Sequence, residues 1–205
     1  MECTSSKESR KGNSKLNVYL ISDTHFNHQN IATYCDRPKD FTERIIKNWN
    51  AIVKPEDLII HLGDVQIGKK SDWIIPALPG RKVLVRGNHD RQWSNTRWME
   101  AGFSFSCDGM RFRNCWLSHE PDTSRAGGCD LNIHGHLHNI WHGFHPNGPK
   151  TGHGDGLTLH QQMKLHNPWQ RLFAIEYTNY MPIEFDKFVS HPDRYQARGP
   201  TKENK

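Results

Sequence analysis

Five short stretches of this 205-residue chain carry side chains able to do metal chemistry: Asp23-Thr24-His25, Gly63-Asp64, Gly87-Asn88-His89-Asp90, Ser118-His119 and Gly135-His136-Leu137-His138. Their Asp, Asn and His residues offer oxygen and nitrogen lone pairs, and no thiolate is among them. Such a donor set suits hard to borderline divalent ions, manganese first, with iron, zinc and nickel as alternatives. A carboxylate at a strand end can bridge two ions while His and Asn complete each shell. That is what a two-metal site needs, and Asp64 is placed for the bridging role.

Each stretch follows an apolar run that reads as a strand: Val18–Ile21, Leu58–Leu62, Lys82–Arg86, Met110–Leu117 and Leu131–Ile133. In open α/β sheets, ligands collect in the loops after strand ends. Between the runs, Ile45, Ile46, Trp49, Ile52 and Val53 recur at helical spacing behind Asp40-Phe41-Thr42-Glu43, a capping-box pattern with Asp as the cap. Pro55 closes that helix. Ser71–Leu78 reads as a short helix interrupted by Pro76, and Trp93–Ala101 as a helix stopped by Gly102. Asp108-Gly109, between Phe103–Cys107 and Met110–Leu117, is the strongest hairpin signal. Leu172–Glu176 reads as a late strand and Ile183–Val189 as a final helix. The first half alternates strand and helix, the second half is strand-rich, and the class is α/β.

Length implies one domain, residues 16–190, between a disordered lead-in (1–15) and a C-terminal tail (191–205). The net charge of +5 is a weak signal for anions, because much of it lies in the tails. The five cysteines are odd in number and contain no Cys-x-x-Cys pair, which reads as reduced thiols in a cytoplasmic protein. No apolar run approaches ~18 residues, so no membrane span is expected. Fourteen histidines are more than the motifs need. His142, His145, His153, His160 and His166 fall in a Gly/Pro-rich loop, Trp141–Pro168, that directly follows His138 and is placed to cover the site. Trp141, Phe144 and Trp169 at its margins either stack on a base or anchor the loop.

In this order along one chain, the five motifs resemble the calcineurin-like metallophosphoesterase family, in particular its small single-domain bacterial and phage members, over roughly Leu16–Ser190. The resemblance implies a four-layer αββα sandwich of two mixed β-sheets flanked by helices. It implies that Asp23, His25 and His138 hold one metal, that Asn88, His119 and His136 hold the other, and that Asp64 bridges them. His89 would face the phosphate as general acid. Asp90 would orient His89, or simply sit at a helix N-terminus. Arg86, Arg125 and His28 are the candidates for substrate contact, with surface ion pairs as the other reading of the two arginines. His28 and His61 are open between supporting roles and packing. Asn27 departs from the family pattern, which carries Gly there, and leaves the path of that loop open.

Two divalent ions, two carboxylates and a bridging hydroxide leave about one net positive charge, which suits a phosphodiester monoanion. The expected activity is hydrolysis of small nucleotide-type phosphodiesters, cyclic or linear, by that hydroxide. The alternatives are a phosphomonoesterase or protein phosphatase, a nuclease using the basic tails, and a non-catalytic scaffold of the same fold. Nucleic acid is a less favoured partner than a small phosphoester. A scaffold relative would be expected to lack a ligand or the catalytic His, and this chain lacks neither.

Overall fold

The computed structural model describes residues 16–66, 72–138 and 169–195. The expectations for the lead-in, for the Trp141–Pro168 loop with its five histidines, and for residues 196–205 lie outside the described residues. The apolar runs become strands because they are buried on both faces, as parallel strands between two layers must be. β1 (Val18–Ile21), β2 (Leu58–His61), β3 (Arg81–Val85) and β4 (Phe105–Cys107) pair in parallel. β5 (Gly109–Phe112), β6 (Cys115–Ser118), β7 (Leu131–His134) and β8 (Gln170–Leu172) make a second sheet in that order, antiparallel at β5–β6 and parallel thereafter. β9 (Ile183–Glu184) returns to the first sheet, antiparallel to β1, and the order there is β4-β3-β2-β1-β9. Two mixed sheets flanked by helices are the α/β arrangement expected.

Neighbouring residues on each strand serve different layers. Leu20, Ile60 and Val85 meet Leu117, Ile133 and Phe173 between the sheets, while Ile21, Ile59 and Leu84 face the helices. The helices are α1 (Gln29–Tyr34), α2 (Phe41–Ile52), α3 (Ile74–Ala77), α4 (Asn95–Glu100) and α5 (Phe185–Ser190). α2 buries Phe41, Ile45 and Trp49, one per turn, and the Trp49 indole N–H donates to the Pro79 carbonyl at 3.0 Å. Past α5 the chain turns through Pro192–Tyr195, and the Tyr195 ring stacks on Phe188. No helix among the described residues is long and apolar enough to cross a membrane.

Four local expectations are corrected. Asp40 caps nothing with its side chain; both its oxygens take the Arg44 guanidinium at 2.9 Å instead. Asp108-Gly109 joins no hairpin: the chain leaves the first sheet at Cys107 and enters the second at Gly109. The hairpin lies at Arg113-Asn114, where Phe112 pairs with Cys115 and Arg113 has φ 52°. Gly109 is needed for contact, since a Cβ there would lie 2.6 Å from the Trp116 ring. The late strand ends at Leu172, and Ile175–Thr178 is a 3₁₀ turn whose Ile175 packs beneath the helices. The final helix starts at Phe185, because Ile183 and Glu184 pair with β1.

Candidate metal centre

Because β1, β2 and β3 run parallel, as do β6 and β7, the five motif loops leave their strands where the loops can be laced together. Asp23 N–H donates to Gly63 O (2.9 Å), His25 N–H to Asp64 O (3.0 Å) and Gly135 N–H to His119 O (2.9 Å). The His136 amide donates to the Asp23 carboxylate at 3.1–3.2 Å, and the His89 amide to Asp64 Oδ1 at 3.0 Å. The backbone is strained to do this. Asp23 (φ 52°), His25 (42°), Asp64 (56°), His136 (71°) and His138 (49°) all lie in the left-handed region. That region costs a side-chain-bearing residue roughly 1–2 kcal/mol, and such residues collect at functional sites.

The side chains converge in two groups. The donor atoms of Asp23, His25 and His138 lie within 4.8 Å of one another, and so do those of Asp64, His119 and His136. His119 Nε2 faces Asp64 Oδ2 at 3.4 Å, Asn88 Oδ1 at 3.1 Å and His136 Nδ1 at 3.2 Å. Its Nδ1–H donates to Leu62 O at 2.7 Å, which leaves Nε2 as the metal-facing atom. Asp64 Oδ2 also lies 3.5 Å from His25 Nε2, so this carboxylate stands between the groups. His138 Nε2 is 3.6 Å from Asp23 Oδ1.

The electrostatics describe a pocket short of positive charge. Burial raises the Asp23 carboxyl above its usual range, and burial lowers His25 well below its own. Burial opposes charge on Asp64 and His119 as well, yet their mutual attraction dominates: Asp64 is held well below its usual value and His119 is pushed up to about 9. Among the described residues, neither ring nitrogen of buried His25 has a hydrogen-bond partner, an omission costing about 1–3 kcal/mol per group. A cation taken by His25 Nε2 removes that cost at one of the two nitrogens and supplies the missing charge. The residues present therefore fit divalent metal.

Two other motif residues brace the loops. His61, buried and pushed down to about 3 by burial, is neutral. Its Nδ1 accepts from Gly63 N–H (3.1 Å), so its Nε2–H donates to Thr24 Oγ1 (3.0 Å), which donates to Val65 O (2.9 Å). Asp90 accepts from the amides of Asp64 (2.7 Å), Gly87 (2.8 Å) and Val65 (3.0 Å). Gly87 has no room for a side chain, since a Cβ would sit 2.1 Å from Asp64 Oδ1. Gly87→Ala is expected to lose about 1–3 kcal/mol of stability and roughly 10–100-fold in metal affinity. Calorimetric metal titration checks it, and wild-type affinity in that variant would show that Asp64 has freedom to move.

His89 lies on the open side, its side chain 34% exposed and its Nε2 3.9 Å from Asp64 Oδ2. His28 is half-buried, with its ring centroid 5.7 Å from that of His25. Arg86 is drawn away: Nη2 donates to Asp108 at 2.7 Å. Arg125 lies over the ring of Trp169, a buried residue that anchors its segment to the core. Asn27 has φ 59°, a conformation that Asn tolerates better than most side chains, and this gives the path of that loop. Sequence reasoning missed Arg37 and Glu176. Both side chains are buried, and Arg37 Nη2 reaches Glu176 Oε1 at 2.7 Å and Asp23 O at 2.9 Å. Burial opposes the Glu176 charge, but Arg37 and His138 hold its carboxyl down at about 2. The only signal was a charged residue closing an apolar run, Leu172–Ile175.

A family model described as calcineurin-like phosphoesterase matches residues 16–197. An uncharacterized protein of Methanocaldococcus jannaschii is 34% identical over 182 residues, covering 84% of this chain and 89% of its own. The gene 66 protein of Mycobacterium phage D29 is 34% identical over 128 residues, 51% of this chain and 64% of its own. A crystal structure of a protein of unknown function from Aquifex aeolicus superposes with a TM-score of 0.62. It is 27% identical and covers 86% of this chain and 99% of its own.

Proposed function

Because the chain belongs to the calcineurin-like phosphoesterase family, we propose that it is a dinuclear metal-dependent phosphodiesterase acting on small nucleotide-type diesters, linear or cyclic. Asp23, His25 and His138 hold one ion, Asn88, His119 and His136 the other, and Asp64 both. The observation that carries this reading is Asp64 Oδ2, 3.5 Å from His25 of one set and 3.4 Å from His119 of the other. Bound there, two divalent ions supply Lewis-acid charge and lower the pKa of a water. The protein's own part is to hold the ligand loops rigid and to present His89 to the leaving oxygen. Among the described residues, the thiols of Cys107, Cys115 and Cys129 form no disulfide, which suits a cytoplasmic setting.

The preference for diesters rests on charge. A monoester dianion calls for guanidinium groups beside the metals, and the two candidates are engaged elsewhere, Arg86 by Asp108 and Arg125 over Trp169. His28 and His89 remain at the open side, enough for a monoanion. Metal-stripped protein supplied with manganese, nickel, zinc or magnesium is to be assayed on matched diesters and monoesters, cyclic nucleotides among them. Higher kcat/KM for diesters is expected; a clear preference for monoesters would overturn the assignment.

A further inference from the structure

Arg37 and Glu176 form an ion pair that stability does not explain. Their side chains are 0% and 5% exposed. Removing two charges from water costs several kcal/mol per ion, and an apolar pair of similar volume often serves stability as well or better. The pair nevertheless meets the metal centre at three points. Arg37 Nη2 donates to the Asp23 carbonyl at 2.9 Å and lies 3.2 Å from His138 Nδ1. Its Nη1 reaches the Thr24 carbonyl at 3.4 Å. Glu176 Oε1 takes Arg37 Nε at 2.9 Å and Nη2 at 2.7 Å, and lies 3.3 Å from His138 Nδ1.

These contacts share a direction. His138 turns Nδ1 to the pair and Nε2 to Asp23. A carboxylate on Nδ1 fixes the ring and leaves the Nε2 lone pair for a metal. The carbonyls that Arg37 holds belong to Asp23, whose φ is 52°, and to the next residue, Thr24, and His138 itself has φ 49°. Cys35, His138 and Glu176 also cluster closely enough to hold an ion of their own. Arg37 already takes that place, since one of its nitrogens stands against both His138 and Glu176.

We propose that Arg37 and Glu176 are positioning residues for one ion only, the one held by Asp23, His25 and His138. The inference rests on the two-set reading of the ligands given above. Glu176 orients His138, Arg37 holds the Asp23–Thr24 turn, and their charges cancel, so the centre's net charge is untouched. Neither residue hydrogen-bonds Asn88, His119 or His136 directly; the one link runs through Asp23, whose carboxylate takes the His136 amide, so the first ion should depend on the pair far more than the other.

Manganese(II) binding to the metal-stripped full chain, by calorimetry and electron paramagnetic resonance, tests this in Glu176→Gln and Arg37→Lys. Glu176→Gln keeps side-chain size and Arg37→Lys keeps the charge while losing the guanidinium fork, and thermal melts report whether each is folded. The expected result is one ion weakened by roughly 10–100-fold with the other at its wild-type affinity, and kcat recovered at saturating manganese. Equal weakening of both ions, or no change in either, overturns the proposal. If Glu176→Gln fails to fold, Arg37→Lys decides by the same criterion. A wild-type chain that binds a single ion would refute the two-metal reading instead. The pair's role would then stand or fall on whether that ion's Kd moves in the variants.

Discussion

Asp64→Asn is expected to cost both metal ions at once. Its Oδ2 faces His25 at 3.5 Å and His119 at 3.4 Å, while Oδ1 accepts the His89 amide at 3.0 Å. An amide oxygen can keep that last bond, so the loop after β3 has no reason to move. What disappears is one of the centre's two carboxylate charges, the one set between the groups. Two dications close together repel strongly, and a bridging carboxylate is the cheapest relief. Loss at each site should therefore exceed the roughly 10–100-fold typical of removing an outer partner. Elemental analysis after dialysis, with calorimetric titration of manganese and zinc, measures it. Asp23→Asn is the control, because Asp23 faces His138 at 3.6 Å and belongs to a single group. Retention of either ion at wild-type affinity in Asp64→Asn would falsify the bridging role.

The candidate site was legible because its parts are local. An apolar run ending in Gly-Asp or Gly-Asn-His announces both a strand and the ligand at its end, and parallel pairing then places β1, β2 and β3 side by side. What stayed hidden depends on distant contacts or on backbone shape. Arg37 and Glu176 are 139 residues apart and meet only in the fold. Asp90 offered two readings in sequence, orienting His89 or opening a helix. It does open a short 3₁₀ turn, Asp90–Gln92, but its carboxylate also gathers three amides, those of Asp64, Val65 and Gly87, from two loops. Composition carried no sign of left-handed backbone at His25, Asp64 or His136, since the strain is imposed by packing the loops together. Asp108-Gly109 misled for a related reason. A small residue demanded by the Trp116 ring reads the same in sequence as one demanded by a turn.

His89→Ala is expected to keep both ions and lose activity. The His89 side chain is farther from Asp64 than the imidazoles of His25 and His119 are, 3.9 Å against 3.5 and 3.4 Å, and it is the more exposed. Its ring meets that of His25 edge-on, with centroids 5.5 Å apart, so it borders the centre from the open side. The backbone amide, which binds Asp64 Oδ1, survives in Ala. Metal content should therefore match wild type. A general acid contributes roughly 10²–10⁴-fold to turnover, and its worth depends on the leaving group. An alkoxide such as a ribose oxygen needs the proton, whereas p-nitrophenolate leaves without it. Paired kinetics on a nucleotide diester and a p-nitrophenyl diester separate the two roles open to His89. A large loss on the first with a small one on the second marks a proton donor. Equal losses on both would mean that His89 positions the phosphate and that the leaving oxygen takes its proton elsewhere.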